Sequence, residues 1–156
     1  NAAESCMSRA RWSVAVPVSL LLSLALVTGG CPNPIFDPPV TVEIFNNSDF
    51  EVLPDIRFDF DESIPASAAS DFLDVGFLLP GEFQQFDFDC DQIGLIFSDE
   101  TEVRFFNEFF GIADRSFVPR WGLDFDCGDF IVIEFQGNPD DDFFDVLVFV
   151  NDELVG

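Results

Sequence analysis

The sequence contains no histidine, no lysine and no tyrosine, and its single methionine is residue 7. These absences exclude the most common general base, Schiff-base lysines, imidazole metal ligands and every catalytic triad that needs histidine. No glycine-rich phosphate loop and no Asp-Thr-Gly or Asp-Ser-Gly signature is present. A carboxylate pair could still hydrolyse a glycan, but among so many acidic residues a suitable pair carries little information. We therefore predict that the protein is not an enzyme.

Positive charge is also scarce. Beyond residue 30, 29 acidic residues are opposed by only four arginines, a net charge of −25. The four are Arg57, Arg104, Arg115 and Arg120. Such a field repels phosphates, so we expect no nucleic-acid partner. All 22 phenylalanines lie in this same part of the chain, and that much aromatic surface predicts a folded core with a solubilising acidic exterior.

The beginning of the chain has the pattern of an export signal. Met7–Arg11 is basic, and the apolar run Trp12–Val27 follows it and ends in small residues. The run is too short, and Pro17 too disruptive, for a transmembrane helix. We therefore predict a secretory signal peptide over residues 1–30. Its first six residues, which precede the methionine, are interpreted as upstream sequence or as an unusual start.

The signal ends in Thr28-Gly29-Gly30-Cys31, which resembles the lipobox of bacterial lipoprotein precursors. Thr28 departs from this pattern, since an aliphatic residue usually stands there. The resemblance implies cleavage before Cys31, attachment of lipid, including palmitate, to that cysteine, and membrane anchoring in the cell envelope. Pro32 after the cysteine would favour outer-membrane sorting in a Gram-negative cell. Residues 31–39 are rich in proline and predict an extended tether.

Residues 40–156 alternate apolar and polar side chains with the period of β-strands. The alternation is clearest from Phe50 to Asp61, where Pro54 predicts an edge strand or a bulge. Residues 103–112 are predicted to form one phenylalanine-rich strand that is partly buried on both sides. Further strands are predicted at 40–44, 72–79, 83–91, 93–97, 123–127, 130–136 and 145–150. Short, regularly spaced strands without a helical period predict an all-β protein, an antiparallel β-sandwich of about 7–9 strands.

Leu79-Pro80-Gly81-Glu82, which precedes an alternating strand, is similar to the turn of many exported immunoglobulin-like or FxLYD-type bacterial β-sandwiches. This resemblance implies an immunoglobulin-like fold and nothing about function. The chain as a whole resembles small acidic exported lipoproteins of environmental bacteria, which supply no functional residues for comparison.

Two cysteines remain if Cys31 carries lipid. Cys90 and Cys127 each follow a Phe-Asp alternation, and each falls on the apolar parity of its segment. Inward-pointing cysteines at two strand ends predict a disulfide, which an oxidising compartment permits. Closing a loop of this length would contribute about 3–4 kcal/mol of stability in the loop-entropy model.

Aspartate recurs at alternate positions although it is a poor strand former. Calcium, which several carboxylates can bind, is one explanation. The candidate metal ligands are Asp87, Asp89, Asp91, Asp124, Asp126, Asp129, Asp140 and Asp142. The other explanation is a solvated face whose charge discourages aggregation between strand edges.

Three functions therefore remain open after the sequence is read. The first is a lipid-anchored protein that binds an unknown protein or envelope partner without catalysis. The second is a calcium-dependent binding or adhesion module, and the third is a carboxylate-based glycan hydrolase. Trp121 and Arg120 are candidate binding residues because they lie together in an irregular segment.

Overall fold

The computed structural model describes residues 37–140 and 143–156, which belong to one β-rich unit. The predicted signal peptide, the lipidation site Cys31, most of the proline-rich tether and Asp142 lie outside the described residues. Among the residues described, no helix has the length and apolar character needed to cross a membrane.

Strands account for nearly all the regular structure of the described chain, and a single 3₁₀ turn, Ala66–Ala68, accompanies them. The strands are β1 Val40–Asn46, β2 Glu51–Leu53, β3 Ile56–Asp59, β4 Asp71–Leu73, β5 Phe83–Phe88, β6 Leu95–Ser98, β7 Thr101–Phe105, β8 Glu108–Ala113, β9 Phe130–Asn138, β10 Phe143–Val150 and β11 Glu153–Leu154. The predicted all-β class is confirmed.

One sheet is continuous and contains five strands in the order β11-β10-β9-β1-β5. β1 runs parallel to β9, and every other pair in this sheet is antiparallel. The alternation in the sequence is preserved along β1, where every second residue from Val40 to Asn46 is buried. This strict period of two places one set of side chains inward and the other outward.

The remaining strands form a second, interrupted layer of two small sheets, β4-β3-β6 and β2-β7-β8. β2 and β3 are successive stretches separated by Pro54 and Asp55, and residues 99–100 separate β6 from β7. Pro54 has no amide to donate, so the ladder cannot run through it. The Asp99 amide donates to the Asp55 carbonyl (2.7 Å) across the gap. The predicted irregularity at Pro54 is therefore the boundary between the two small sheets.

Side chains from both layers meet in one hydrophobic cluster. Its fully buried members include Val42, Ile44, Phe50, Val52, Ile56, Ile96, Ile131, Ile133, Phe135 and Val148. A single core shared by two antiparallel-rich layers is consistent with a β-sandwich.

Residues 103–112 do not form the single buried strand that the sequence predicts. They belong to a hairpin, β7–β8, whose two turn residues are Phe106 and Asn107. The prediction was wrong because this two-residue turn holds both of its residues at positive φ, and phenylalanine gives no signal of such a turn. Consequently Phe106, Phe109 and Ile112 are exposed rather than buried.

The predicted strand 123–127 is absent, and the predicted strand 72–79 is shorter than expected. At 123–127, the amides of Leu123 and Asp124 donate to the Arg120 carbonyl, so the backbone closes into a turn instead of a ladder. Of the predicted strand 72–79, β4 covers only the beginning.

The alternation of buried and exposed residues reverses at the end of β3, where Asp59 is buried and Phe60 is exposed. The Asp59 carboxylate accepts the Asp61 amide (3.1 Å), which satisfies the buried group locally.

Candidate functional site

The β7–β8 hairpin presents several exposed apolar side chains of the second layer. Phe106 is 79% exposed and Phe109 64%, and Ile112 on the same strand as Phe109 is 58% exposed. Together they form the aromatic hairpin, the name used below for Phe106, Phe109 and Ile112. An exposed apolar group of this kind typically marks an interaction surface.

The turn of this hairpin is conformationally costly. Phe106 has φ of 50° and Asn107 of 63°. The β10–β11 hairpin has the same two-residue geometry, with φ of 50° at Asn151 and 68° at Asp152. Asn and Asp tolerate this left-handed region, whereas a bulky residue there is an outlier. Of the two matched turns, only β7–β8 places a large aromatic residue where it is disfavoured.

The base of the hairpin packs against one buried aromatic ring. The fully buried Phe50 lies 5.9 Å from the ring of Phe105 and 4.7 Å from that of Phe110, measured between centroids. Phe105 in turn contacts Phe106, with centroids 4.3 Å apart. These contacts fix the two strands against the core, so the exposed rings at the tip are presented from a rigid support.

A groove of 250 Å³ runs beside the hairpin, between β8 and β10. Phe110, Ile112 and Phe144 supply apolar walls, and Asp145 and Arg115 add charge. The Arg115 guanidinium pairs with Asp99 (2.7 Å) and lies 5.2 Å from the centre of the Phe97 ring. An apolar side chain of a partner protein would pack against the apolar walls of this groove, next to the charged groups at its edge.

All four arginines of the described chain lie in the second layer and the segment that follows it. Three of them pair with carboxylates, Arg57 with Asp55, Arg104 with Glu102 and Arg115 with Asp99, at 2.6–2.7 Å. The hydrogen bond and charge of Asp55 raise the pKa of Arg57 above its ordinary value. On the acidic side, hydrogen bonds from the Ser63 side chain and amide lower the pKa of Asp61.

The described residues include seven of the eight predicted calcium ligands. Across residues 37–140 and 143–156, no group of three acidic or cysteine side chains could hold a metal ion. Several carboxylates instead accept internal hydrogen bonds: Asp87 from the Thr41 hydroxyl, Asp124 from the Arg120 amide, and Asp129 from the Asn151 side chain and the Asp126 amide. Asp89, Asp91, Asp126 and Asp140 are exposed, and Asp142 lies outside the described residues.

Arg120 and Trp121 occupy adjacent but different environments. The Arg120 guanidinium donates to the carbonyl oxygens of Glu62 and Ile64, so it holds the loop that follows β3. The Trp121 amide donates to the Gly94 carbonyl (2.8 Å), while the residue is 41% exposed. Arg120 therefore has a structural contact, and the neighbouring Trp121 is open to solvent.

The predicted disulfide is confirmed. Cys90 and Cys127 are bonded, with Cα atoms 5.6 Å apart and a sequence separation of 37. The bond joins the segment after β5 to the segment before β9, close to Pro38, whose carbonyl lies 3.7 Å from the Cys90 sulfur. It therefore ties together the end of the domain at which the described chain begins.

Sequence reasoning missed the aromatic hairpin. The available signal was Asn107, a turn-favouring residue between the pairs Phe105-Phe106 and Phe109-Phe110. Comparison with protein-family models, curated proteins and solved structures finds no match to this chain.

Proposed function

We propose that this chain is an exported, lipid-anchored and non-enzymatic interaction protein whose immunoglobulin-like β-sandwich binds a protein of the cell envelope through the aromatic hairpin. The observation that carries the proposal is Phe106, which is both exposed and held at positive φ. Backbone strain of this kind costs about 1–3 kcal/mol and clusters at functional sites. Buried aromatic anchors supply much of the binding energy at protein interfaces.

The position of the hairpin supports a protein partner. β1 starts at Val40, beside the disulfide end, and finishes at Asn46, whose side chain donates to the Phe50 carbonyl (2.8 Å). Phe50 contacts the base of the hairpin, so the tip lies at the end opposite to the start of the described chain. A chain anchored through its N-terminal side would thus direct the hairpin away from the anchoring membrane.

Export and lipidation rest on separate support. The disulfide between Cys90 and Cys127 is typical of an oxidising compartment, and the lipobox-like ending at Cys31 supports processing there. The test is expression in a bacterium with labelled palmitate. Label should appear in the wild-type protein and be absent from Cys31→Ser, and label in neither protein would contradict the lipid anchor.

The hairpin is tested with variants that keep the fold. Phe106→Asn should raise the stability by about 1 kcal/mol, because asparagine tolerates the left-handed turn. The same variant and Phe109→Ser should lose a partner that the wild-type protein captures from solubilised native envelope. Phe60→Ser is the matched control, since Phe60 is exposed to 70% outside the hairpin.

Capture should be the same with calcium and with chelator if the hairpin alone carries binding. Retention of the partner by both hairpin variants, with thermal midpoints showing that they are folded, would contradict the proposal. Equal loss in the Phe60→Ser control would contradict it as well, because the effect would then follow from general loss of surface apolarity.

A further inference from the structure

The five-stranded sheet has a second apolar face, on the side opposite to the core. Residues that alternate with the core positions of β1, β5, β9 and β10 point to this side. The apolar ones, with one residue of β11, are Phe45, Phe83, Phe130, Val132, Phe143, Leu147, Phe149 and Leu154. Phe83 is 58% exposed, Phe143 50% and Leu154 60%, and the others are half-buried. We call this surface the outer sheet face.

Two of the carboxylates on this face, Glu43 and Glu134, lie within its apolar surface. Glu43 lies between Gln85 and Val132 in the register of the sheet. Glu134 lies between Phe45 and Leu147. Each carboxylate therefore sits in a row with apolar side chains of neighbouring strands, at a strand spacing of about 4.8 Å.

The outer sheet face carries no cation. The chain contains no lysine or histidine, and the arginines of its described part all lie outside β1, β5, β9, β10 and β11. Glu134 accepts hydrogen bonds from the neutral side chains of Asn47 and Gln136, both at 2.7 Å. Glu43 takes part in none of the ion pairs found in the two described ranges. The face thus combines apolar area with negative charge that its own layer does not neutralise.

This combination restricts what can cover the face. A second copy would bring the same carboxylates against Glu43 and Glu134, and like charges across an interface repel. A purely apolar partner would bury both carboxylates without a counter-ion, which is strongly unfavourable. A partner with lysine or arginine among apolar side chains satisfies both the charge and the apolar area.

We propose that the outer sheet face binds a cationic, amphipathic segment of another protein, with a lysine or arginine opposite each of Glu43 and Glu134. This surface is separate from the aromatic hairpin and does not depend on it. The expected contact places apolar side chains of the partner against Val132, Phe149 and Leu147, with the charges enclosed between them.

The test uses a fluorescently labelled synthetic peptide in which lysine alternates with valine, and a counterpart with glutamate in place of lysine. Glu43→Gln/Glu134→Gln should weaken binding of the lysine peptide about tenfold. The matched control, Glu62→Gln/Glu100→Gln, removes the same two charges from exposed sites outside the face. It should change binding less than about twofold, because only screened long-range attraction is lost.

The location of the binding surface is tested independently by changes in backbone amide chemical shifts. These changes should occur in β1, β9 and β10 when the lysine peptide is added. Phe149→Ser should weaken binding, whereas Phe106→Asn should leave it unchanged, which separates this surface from the hairpin. Equal weakening by the two charge-removing doubles, or shifts spread over both layers, would overturn the proposal. So would a dimer in sedimentation that Phe149→Ser dissociates, since the occupant would then be a second copy.

Discussion

The two layers of the domain differ in the continuity of their strands and in how regularly buried and exposed residues alternate. The five-stranded sheet is continuous, and its long strands β1, β9 and β10 bury nearly every second residue. The second layer consists of shorter strands interrupted at Pro54–Asp55 and at Asp99–Glu100. It also contains the ion pairs of the described chain and the aromatic hairpin. The continuous sheet thus has a regular alternation of buried and exposed residues, whereas the second layer combines an irregular backbone with ion pairs and exposed aromatic residues.

The two layers are therefore stabilised in different ways. A strand with strict alternation is held by its buried set of side chains, which also leaves a regular outer face. Interruptions release backbone groups that then need other partners, and the Asp55 carbonyl accordingly accepts the Asp99 amide. The second layer is consequently stabilised by individual hydrogen bonds and ion pairs, so we expect a single substitution there to act on the local backbone geometry.

The largest expected effect is in the continuous sheet. Phe135→Ala removes a fully buried ring from β9 and should lower the free energy of unfolding by about 3–5 kcal/mol. The same substitution at the exposed Phe109 in the second layer should change it by no more than about 0.5 kcal/mol. Chemical denaturation of both variants checks the difference. Similar losses would show that the hairpin is part of the core.

The disulfide joins the segments that lead out of β5 and into β9. Replacing Cys90 and Cys127 together by serine should lower the stability by about 4 kcal/mol in the loop-entropy model, for a separation of 37 residues. Denaturation of the double variant and of reduced wild-type protein, each compared with oxidised wild-type protein, measures the loss. A stability unchanged by both treatments would mean that the bond does not constrain the unfolded chain.

In the second layer, Gly94 is enclosed by backbone. A Cβ atom at this position would lie 2.6 Å from the Glu62 amide nitrogen and closer still to the Phe60 carbonyl oxygen. Gly94→Ala should therefore cost about 3 kcal/mol, because backbone must move. Gly111→Ala is the control, since nothing lies within 4 Å of its added methyl group, and it should stabilise by about 0.5 kcal/mol. Equal thermal midpoints for the two variants would contradict the close approach.

The smallest effect concerns the acidic loop after β3. Ser63 lowers the pKa of Asp61, so the charged form is favoured in the folded state. This contribution is present above the pKa of the unfolded chain and is lost as the pH falls through the lower folded value. Ser63→Ala should raise the pKa of Asp61 towards its ordinary value, as measured by carboxyl chemical shifts. Ser70→Ala, a nearby exposed serine, should leave it unchanged.

The sequence predicted the continuous sheet well and the second layer less well. In β1 and β9 the buried residues can be identified from the sequence, because apolar residues such as Val42 and Ile133 recur at every second position. At Phe106 the same apolar residue type predicted burial, yet the ring lies at an exposed turn. Periodicity reports which side of a strand is apolar, but it does not report where the strand reverses.

The candidate sites show the same limit. The pairing of Cys90 with Cys127 was predictable because few cysteines were left and both had inward parity. The carboxylates proposed as calcium ligands share spacing along the chain, but those in the described residues do not form a group of three that could hold a metal ion. Spacing in sequence is not convergence in space, because ligands of one ion must come from several segments at once.

Composition and alternation were sufficient to determine that the chain builds strands and pairs two cysteines, because these properties depend on local sterics and on the parity of residues along a strand. The assignment of particular residues to core, turn or open surface was decided by the packing of distant segments. Phe50 and Phe106 are the same residue type, and only their neighbours in the folded protein separate a buried anchor from an exposed contact. The outer sheet face arises in the same way, because strands distant in sequence bring Glu43, Val132 and Phe149 into one row.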